Sequence, residues 1–291
     1  MSFKATMPSK KVKTPKPAKA GKGVKEPKMR FNAKYPVSMR EKWRGHWYYV
    51  STEDKKSAVN SVSGVLGIIG GNKIHNLMGW ARKLAVTTLK DAIYAFWKDK
   101  EQRLTSTDLE EFAEIANKEP EKVKVEAGLK GDKVHDLIDK YIMGEPLEFT
   151  KESKIGFDNF MKWLKSENLT LLKGETKVLV LEEKDKEGNV TQIGFGGELD
   201  ALAEDEEGNL VLLDWKTANY LHDETAVQVG GYAIAFEITY NEPIKRAIVV
   251  RFGKDEIGDV EPKEANLENA KAAFRSALAL KNEFKPKLIW K

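Results

Sequence analysis

The chain has 291 residues, 41% of them hydrophobic and none of them cysteine, with 49 Lys and Arg against 45 Asp and Glu. That length and apolar fraction suit one elaborated domain or two modest ones with a sizeable core, and they exclude a wholly disordered chain. The missing cysteines exclude disulfides, a thiol nucleophile, a Cys-based zinc site and an iron–sulfur cluster, which points to a reducing, cytoplasmic setting.

No run approaches the roughly 18–20 apolar residues of a membrane span, and the first 30 residues lack the apolar stretch of a secretory signal. A protein that is not secreted and has no membrane partner is expected. The near-neutral sum hides an asymmetry. In residues 1–34, ten Lys and Arg30 face the single acid Glu26, which gives +10 and leaves −6 for residues 35–291. Pro8, Pro15, Pro17 and Pro27 also fall there, without apolar periodicity, so residues 1–34 are predicted to form a disordered basic tail that attracts polyphosphate by counterion release.

Beyond the tail, Trp43, His46, Trp47, Tyr48 and Tyr49 run into Val50 and predict a short strand followed by a polar loop. Ser61-Val62-Ser63 offers an N-cap to a helix bearing Val65, Leu66, Ile68 and Ile69, with Gly70-Gly71 as its stop. Further helices are predicted over about 73–100, 107–118, 120–143 (closed by Gly144) and 152–166, the last with Phe157, Phe160, Trp163 and Leu164 along one side. From Leu171 the period becomes two. Val178–Leu181 begins a strand, Glu187-Gly188-Asn189 turns it, Val190–Leu202 returns, and Glu207-Gly208-Asn209 turns into Leu210–Trp215. A helix over 221–238, a β-branched strand over 247–252 and an amphipathic helix from Glu264 to Phe284 complete the chain. The order predicts a three-layer α/β fold with a mixed sheet. Residues 35–126 are expected to be a mostly helical part packing on or over the active site, and 127–291 the catalytic core.

The chemistry concentrates at two strand ends. Asp200 closes Gly196-Gly197-Glu198-Leu199-Asp200, and Asp214-Trp215-Lys216-Thr217 follows the apolar run Leu210–Leu213. Alternation puts Asp214 and Lys216 on one face, and the meander brings Asp200 alongside. Two carboxylates sharing a small site repel one another unless a cation lies between them, which suits a hard divalent ion, while a lysine beside it can orient a metal-bound water. An isolated D-x-K is ordinarily a surface ion pair; here the charges emerge beside a core. Gln228 and Tyr232 share a face of the next helix, and His135 follows Gly131 by four residues on an apolar helix, where a histidine is more often structural than ligating.

As a set, Gly131-x-x-x-His135, Glu175, Gly197-x-x-Asp200, Asp214-x-Lys216-Thr217 and Gln228-x-x-x-Tyr232 resemble the RecB-like branch of the PD-(D/E)XK nuclease superfamily. Ser61 through Trp80-Ala81 also looks like the front end of its small stand-alone members, the phage-type and mitochondrial genome maintenance exonucleases. The resemblance spans about residues 45–250 and implies a restriction-endonuclease-like core in the order α-β-β-β-α-β. It implies a DNA exonuclease of recombination, repair or replication, acting in phage or bacterial host cytosol on single-stranded DNA or single-stranded ends. Asp200, Asp214, His135 and the Trp215 backbone carbonyl would ligate Mg²⁺ or Mn²⁺, Lys216 would position water and stabilise phosphate charge, and Gln228 and Tyr232 would hold the site and meet the DNA backbone. Glu175 and Thr217 fall to the outer shell or substrate. Leu199 replaces the proline of the superfamily name, and the absence of cysteine separates this chain from its iron–sulfur relatives. A structure- or site-specific endonuclease of the same superfamily and a non-catalytic nucleic-acid-binding protein are the competing readings. Lys83, Lys90, Lys98, Lys100, Arg103 and Lys118, interleaved with Trp80, Tyr94, Phe96 and Trp97, offer a basic, aromatic surface for a single strand, although such aromatics commonly pack in a core.

Overall fold

A computed structural model of the chain describes residues 32–42, 45–51, 58–99, 103–253 and 259–283. Its first half runs β1 (Val37–Lys42), β2 (Gly45–Val50), β3 (Val59–Ser61), α1 (Val62–Leu66), α2 (Gly71–Asp99), α3 (Ser106–Met143) and α4 (Lys151–Ser166). The second runs β4 (Thr170–Val180), β5 (Glu183–Lys184), β6 (Val190–Gln192), β7 (Phe195–Glu204), β8 (Leu210–Thr217), α5 (Asp223–Tyr240), β9 (Ile244–Phe252), β10 (Val260–Glu264) and α6 (Leu267–Glu283).

The apolar run of β8 has two faces because the sheet has two covers. Leu210 and Leu212 pack with Val229, Phe236 and Phe274 of α5 and α6, whereas Val211, Leu213 and Trp215 pack with Ile138 of α3 and with Phe160 and Leu164 of α4. A strand buried on both sides reads as continuous hydrophobics rather than alternation. The result is α/β with a mixed central sheet between helical layers: β3 with β7 and β8 with β9 are parallel, and the other ladders of that sheet are antiparallel.

β7 is the pivot. One edge pairs with β4 from Thr170↔Glu204 to Val180↔Phe195. The other edge pairs with β8 over Ala201–Glu204 and with β3 at Phe195 and Gly196, so among the described residues no strand lies beside 197–200 on that edge. β8 meanwhile continues beside β9 to Thr217↔Phe252. The two strands split where the carboxylates stand.

The meander is present with two changes: its first strand, β4, already begins at Thr170 and ends at Val180, and its second divides into β6 and β7, so that the Glu187-Gly188-Asn189 turn joins β5 to β6 in a separate ribbon. Its two turns repeat one design, in which Asp185 and Asp205 accept backbone N–H groups from residues two and four positions on while Gly188 and Gly208 take φ of 88° and 81°. Other expectations need correction. The break foreseen near residue 119 is absent; α3 runs through Pro120 to Met143, with α2 packed along it. α3 therefore also crosses the divide expected between 126 and 127, and the segment before it contributes β1, β2 and β3 to the sheet. The aromatic strand begins at Gly45; Trp43, Lys100, Phe284 and residues 1–31 of the tail lie outside the described residues. Lys34 already belongs to the body, since its amide donates to the Thr239 carbonyl at 2.8 Å. Tyr48, Val50 and Leu179 close the sheet's flank as a small core of their own. Among the described residues no helix is long and apolar enough to cross a membrane.

Candidate active site

The site forms at the split between β7 and β8. Ala201↔Leu213 is the last pair of their ladder, so Asp200 and Asp214 are the next residues on either strand. Trp215 lies in the apolar layer on the other side, edge-on to Phe160 with ring centroids 5.1 Å apart. That packing fixes its backbone, and its amide donates to Asp200 Oδ2 at 2.7 Å. The carboxylate thus takes the place of the main-chain acceptor that the diverging strand withdraws.

Alternation along β8 puts Asp214 and Lys216 on the Leu212 face, beneath α5. Asp214 is buried at 1% side-chain exposure, and Lys216 Nζ approaches its Oδ2 to 2.5 Å. The contact is an ion pair whose alignment leaves Oδ2 without a satisfied hydrogen bond. On the far side of the gap, His135 of α3 places Nδ1 3.9 Å from Asp200 Oδ1. One Asp200 oxygen is therefore committed to the Trp215 amide, and the other faces the imidazole.

The charges shape one another. Burial, and then the negative charge of Asp214, push the Asp200 carboxyl up to about 8 against the opposing pull of Lys216 and the Trp215 amide. Burial works to lower the Lys216 ammonium, but Asp214 and Asp200 outweigh it and hold it above its ordinary value. Tyr232 is pushed well above the phenol range by burial, with Asp214 and Asp200 adding to it. Gln228 Nε2 donates to the Tyr232 hydroxyl at 3.0 Å, so the phenol keeps its own proton to offer elsewhere.

Gly197 explains how Tyr232 reaches the sheet. A Cβ built at Gly197 would lie 2.5 Å from the Tyr232 ring and 3.2 Å from Val62 Cγ2, so only glycine admits the ring flat against β7. The start of α1, capped by Ser61, supplies that Val62 wall.

His135, Asp200, Asp214, Trp215, Lys216, Gln228 and Tyr232 are thus brought to one place. Glu175 sits between the pairs Gly174↔Ala201 and Thr176↔Leu199, hence beside Asp200 across the β4 ladder, but it is exposed. Thr217 alternates to the opposite face from Lys216, and its hydroxyl is buried without a hydrogen-bond partner among the described residues. Gly131 lies within α3.

Sequence reasoning missed Asp139. One turn beyond His135, it lays its carboxyl against Gly174, where any Cβ would have to displace it, and its Oδ1 is buried with no hydrogen-bond partner among the described residues. Burial first, then the charges of Glu175, Asp136 and Glu198, push it up to about 7. Its spacing from His135 was the available signal.

A divalent ion fits this chemistry in part. The unsatisfied Asp214 oxygen, and the burial and Asp214 charge that push the Asp200 carboxyl up, are what a hard cation would relieve. No three His, Asp or Glu side chains among the described residues converge tightly enough to hold a metal by themselves, so any such shell would draw on backbone, water or substrate oxygens as well.

Comparison with known proteins adds little. No family model and no curated protein matches the chain. A solved structure described as the crystal structure of SSO0001 is 15% identical over 44% of this chain at a TM-score of 0.27, a likeness that carries no weight for fold or function. The match spans 58% of that protein's length.

Proposed function

We propose that the chain is a metal-dependent deoxyribonuclease of the RecB-like PD-(D/E)XK branch, built on a restriction-endonuclease-like core and digesting DNA from single-stranded ends. The supporting observation is the Asp200–Asp214–Lys216 group at the split of two strands, with His135 and the Gln228–Tyr232 pair around it.

Asp200 and Asp214 would hold Mg²⁺ or Mn²⁺, with His135 and the Trp215 carbonyl as further donors. A bound ion supplies Lewis acidity and lowers the pKa of a ligated water toward neutrality. Lys216 acts as a cation. Because both carboxylates raise its pKa, it offers positive charge to the phosphate oxygens and does not serve as a free base near neutral pH. Trp215 fixes the Asp200 carboxylate through its amide. Tyr232, neutral and buried, presents a proton donor oriented by Gln228.

Linear single-stranded DNA with free ends, the same strand with both ends blocked, and circular single-stranded DNA form the test, each with Mg²⁺. Exonuclease action predicts loss of the free-ended strand alone. Digestion of the circle at the same rate would make the enzyme an endonuclease.

A further inference from the structure

α2 and α3 pack as a helical hairpin, and the structure sorts the lysines and aromatics that the sequence offered as a single-strand surface into packed and exposed ones. Leu84, Leu89, Ile93 and Phe96 of α2 are half-buried, and Phe96 meets Phe112 of α3 edge-on at 5.9 Å. On the adjoining flank, Trp80, Lys83, Thr87, Lys90, Tyr94 and Trp97 recur at intervals of three and four, and all six are exposed. Trp80, Tyr94 and Trp97 expose 41%, 70% and 63% of their surface.

Residues at that spacing lie in one line along a helix, so the flank is a stripe about 25 Å long. Its aromatic rings stand at both ends, and its two lysines lie between them. One exposed carboxylate, Asp91, borders it beside Thr87 and Tyr94, and α2 as a whole carries five Lys and Arg against two Asp. Two lysines and a threonine in the middle make it a poor seam for a partner helix, which needs an apolar row. A polyanion with exposed ring faces meets both features at once: phosphates answer the lysines, and unpaired bases answer the aromatics.

The position also fits. With Phe96 beside Phe112, antiparallel helices place Trp80 level with about residue 128 of α3. That is about 10 Å along the axis from His135, with Trp97 about 36 Å away. The stripe therefore runs from the hairpin tip toward the end of α3 that enters the candidate active site.

The geometry points to this flank as a track for one strand of single-stranded nucleic acid, stacked on Trp80, Tyr94 and Trp97 and held by Lys83 and Lys90. The inference rests on the nuclease reading for the site that the track feeds; the binding itself does not depend on it. Duplex DNA, whose bases are closed to stacking, binds more weakly and without help from the three rings.

The experiment measures anisotropy of a labelled 20-nucleotide oligo-dT and a matched 20-bp duplex on the full chain, with EDTA present. Combined Trp80→Ala, Tyr94→Ala and Trp97→Ala should weaken oligo-dT binding by about 10- to 100-fold and barely change duplex binding. Lys83→Ala with Lys90→Ala, an independent variant on the same stripe, should reduce the slope of log affinity against log salt by about 0.7 per lysine. Circular dichroism checks that helicity is kept, and sedimentation checks assembly. Unchanged oligo-dT affinity in the correctly folded aromatic variant would overturn the proposal. So would a parent dimer that dissociates in that variant, because the stripe would then cover a second copy of the chain. Hydrolysis of thymidine 5′-p-nitrophenyl phosphate with Mg²⁺ separates the two readings. Its absence in a parent that binds oligo-dT through the rings would sink the nuclease reading and leave the track standing.

Discussion

Asp200 and Asp214 are the first residues beyond the last β7–β8 pair, and the Trp215 amide released by that split donates to Asp200 Oδ2 at 2.7 Å. One side chain thereby ties together the two strands whose divergence makes room for a substrate. Asp200→Asn keeps an acceptor for the amide, and Asp200→Ala does not. Denaturation should find the Ala variant about 1 kcal/mol less stable than the Asn variant, while both lose hydrolysis by at least about 100-fold. An active Asn variant would remove Asp200 from the chemistry.

Lys216 carries a structural and a chemical load. Replacing it with Met leaves the buried Asp214 carboxylate without its cation, at a cost of about 2 kcal/mol; a fully buried pair would cost more, but Lys216 keeps 30% of its side chain exposed. Mg²⁺ should recover most of that stability and none of the activity. Recovery of activity by Mg²⁺ alone would show that the ammonium takes no part in the reaction.

Gly197→Ala tests the seating of Tyr232. The added methyl meets the phenol ring at 2.5 Å and Val62 at 3.2 Å, so the ring must shift and carry the Gln228 hydrogen bond with it. The expected results are a loss of about 1–3 kcal/mol in stability and a marked fall in turnover with every charged group intact. Wild-type stability and turnover would mean that Tyr232 moves without consequence.

Much of this was legible in the sequence. Turn glycines, the Ser61 cap and the switch from period 3.6 to period 2 placed the larger elements. The D-x-K after four apolar residues pointed to the strand end where the candidate site residues gather. β10 was not legible, because Val260-Glu-Pro-Lys-Glu264 is a solvated edge strand with Val260 as its single half-buried residue, and Pro262 is tolerated only at such an edge. β3 was hidden because its three residues run straight into the α1 cap. Pro120 misled because packing of α2 along α3 offsets a break that the residue alone would cause. Asp139 reads as an ordinary polar helix position until Gly174 is seen against it.

The pH dependence of the metal-free protein follows from the raised carboxyls. A folded pKa of about 7 for Asp139, against an ordinary value of 3.8, means that the native state holds more protons between those limits. Stability from this group is therefore highest below about pH 4 and falls as pH rises through about 7. Asp139→Asn should be neutral at pH 4 and stabilising by on the order of 1 kcal/mol at pH 8, a rise in Tm of about 2–4 °C. Thermal melts in EDTA at the two pH values check this. An equal effect at both would show that the carboxyl is not strained.

The basic tail should supply charge and no site residue. Deleting residues 1–31 spares Lys34, whose amide is bonded to Thr239. The deletion should weaken DNA binding at low ionic strength and leave it unchanged at about 0.3 M salt, where exposed charges are screened. Binding titrations at the two salt concentrations decide it, and equal affinities at low salt would leave the tail without a part in DNA binding.

Release of nucleotides from end-labelled linear single-stranded DNA by the parent and by Asp214→Asn, each with Mg²⁺ and with EDTA, decides whether the Asp200 and Asp214 carboxylates serve a metal-dependent nuclease. Digestion by the parent with Mg²⁺, none with EDTA, and at least about a 100-fold loss in a folded Asp214→Asn protein are expected. A parent that digests nothing under any divalent ion, or an Asp214→Asn protein as active as the parent, would contradict that role.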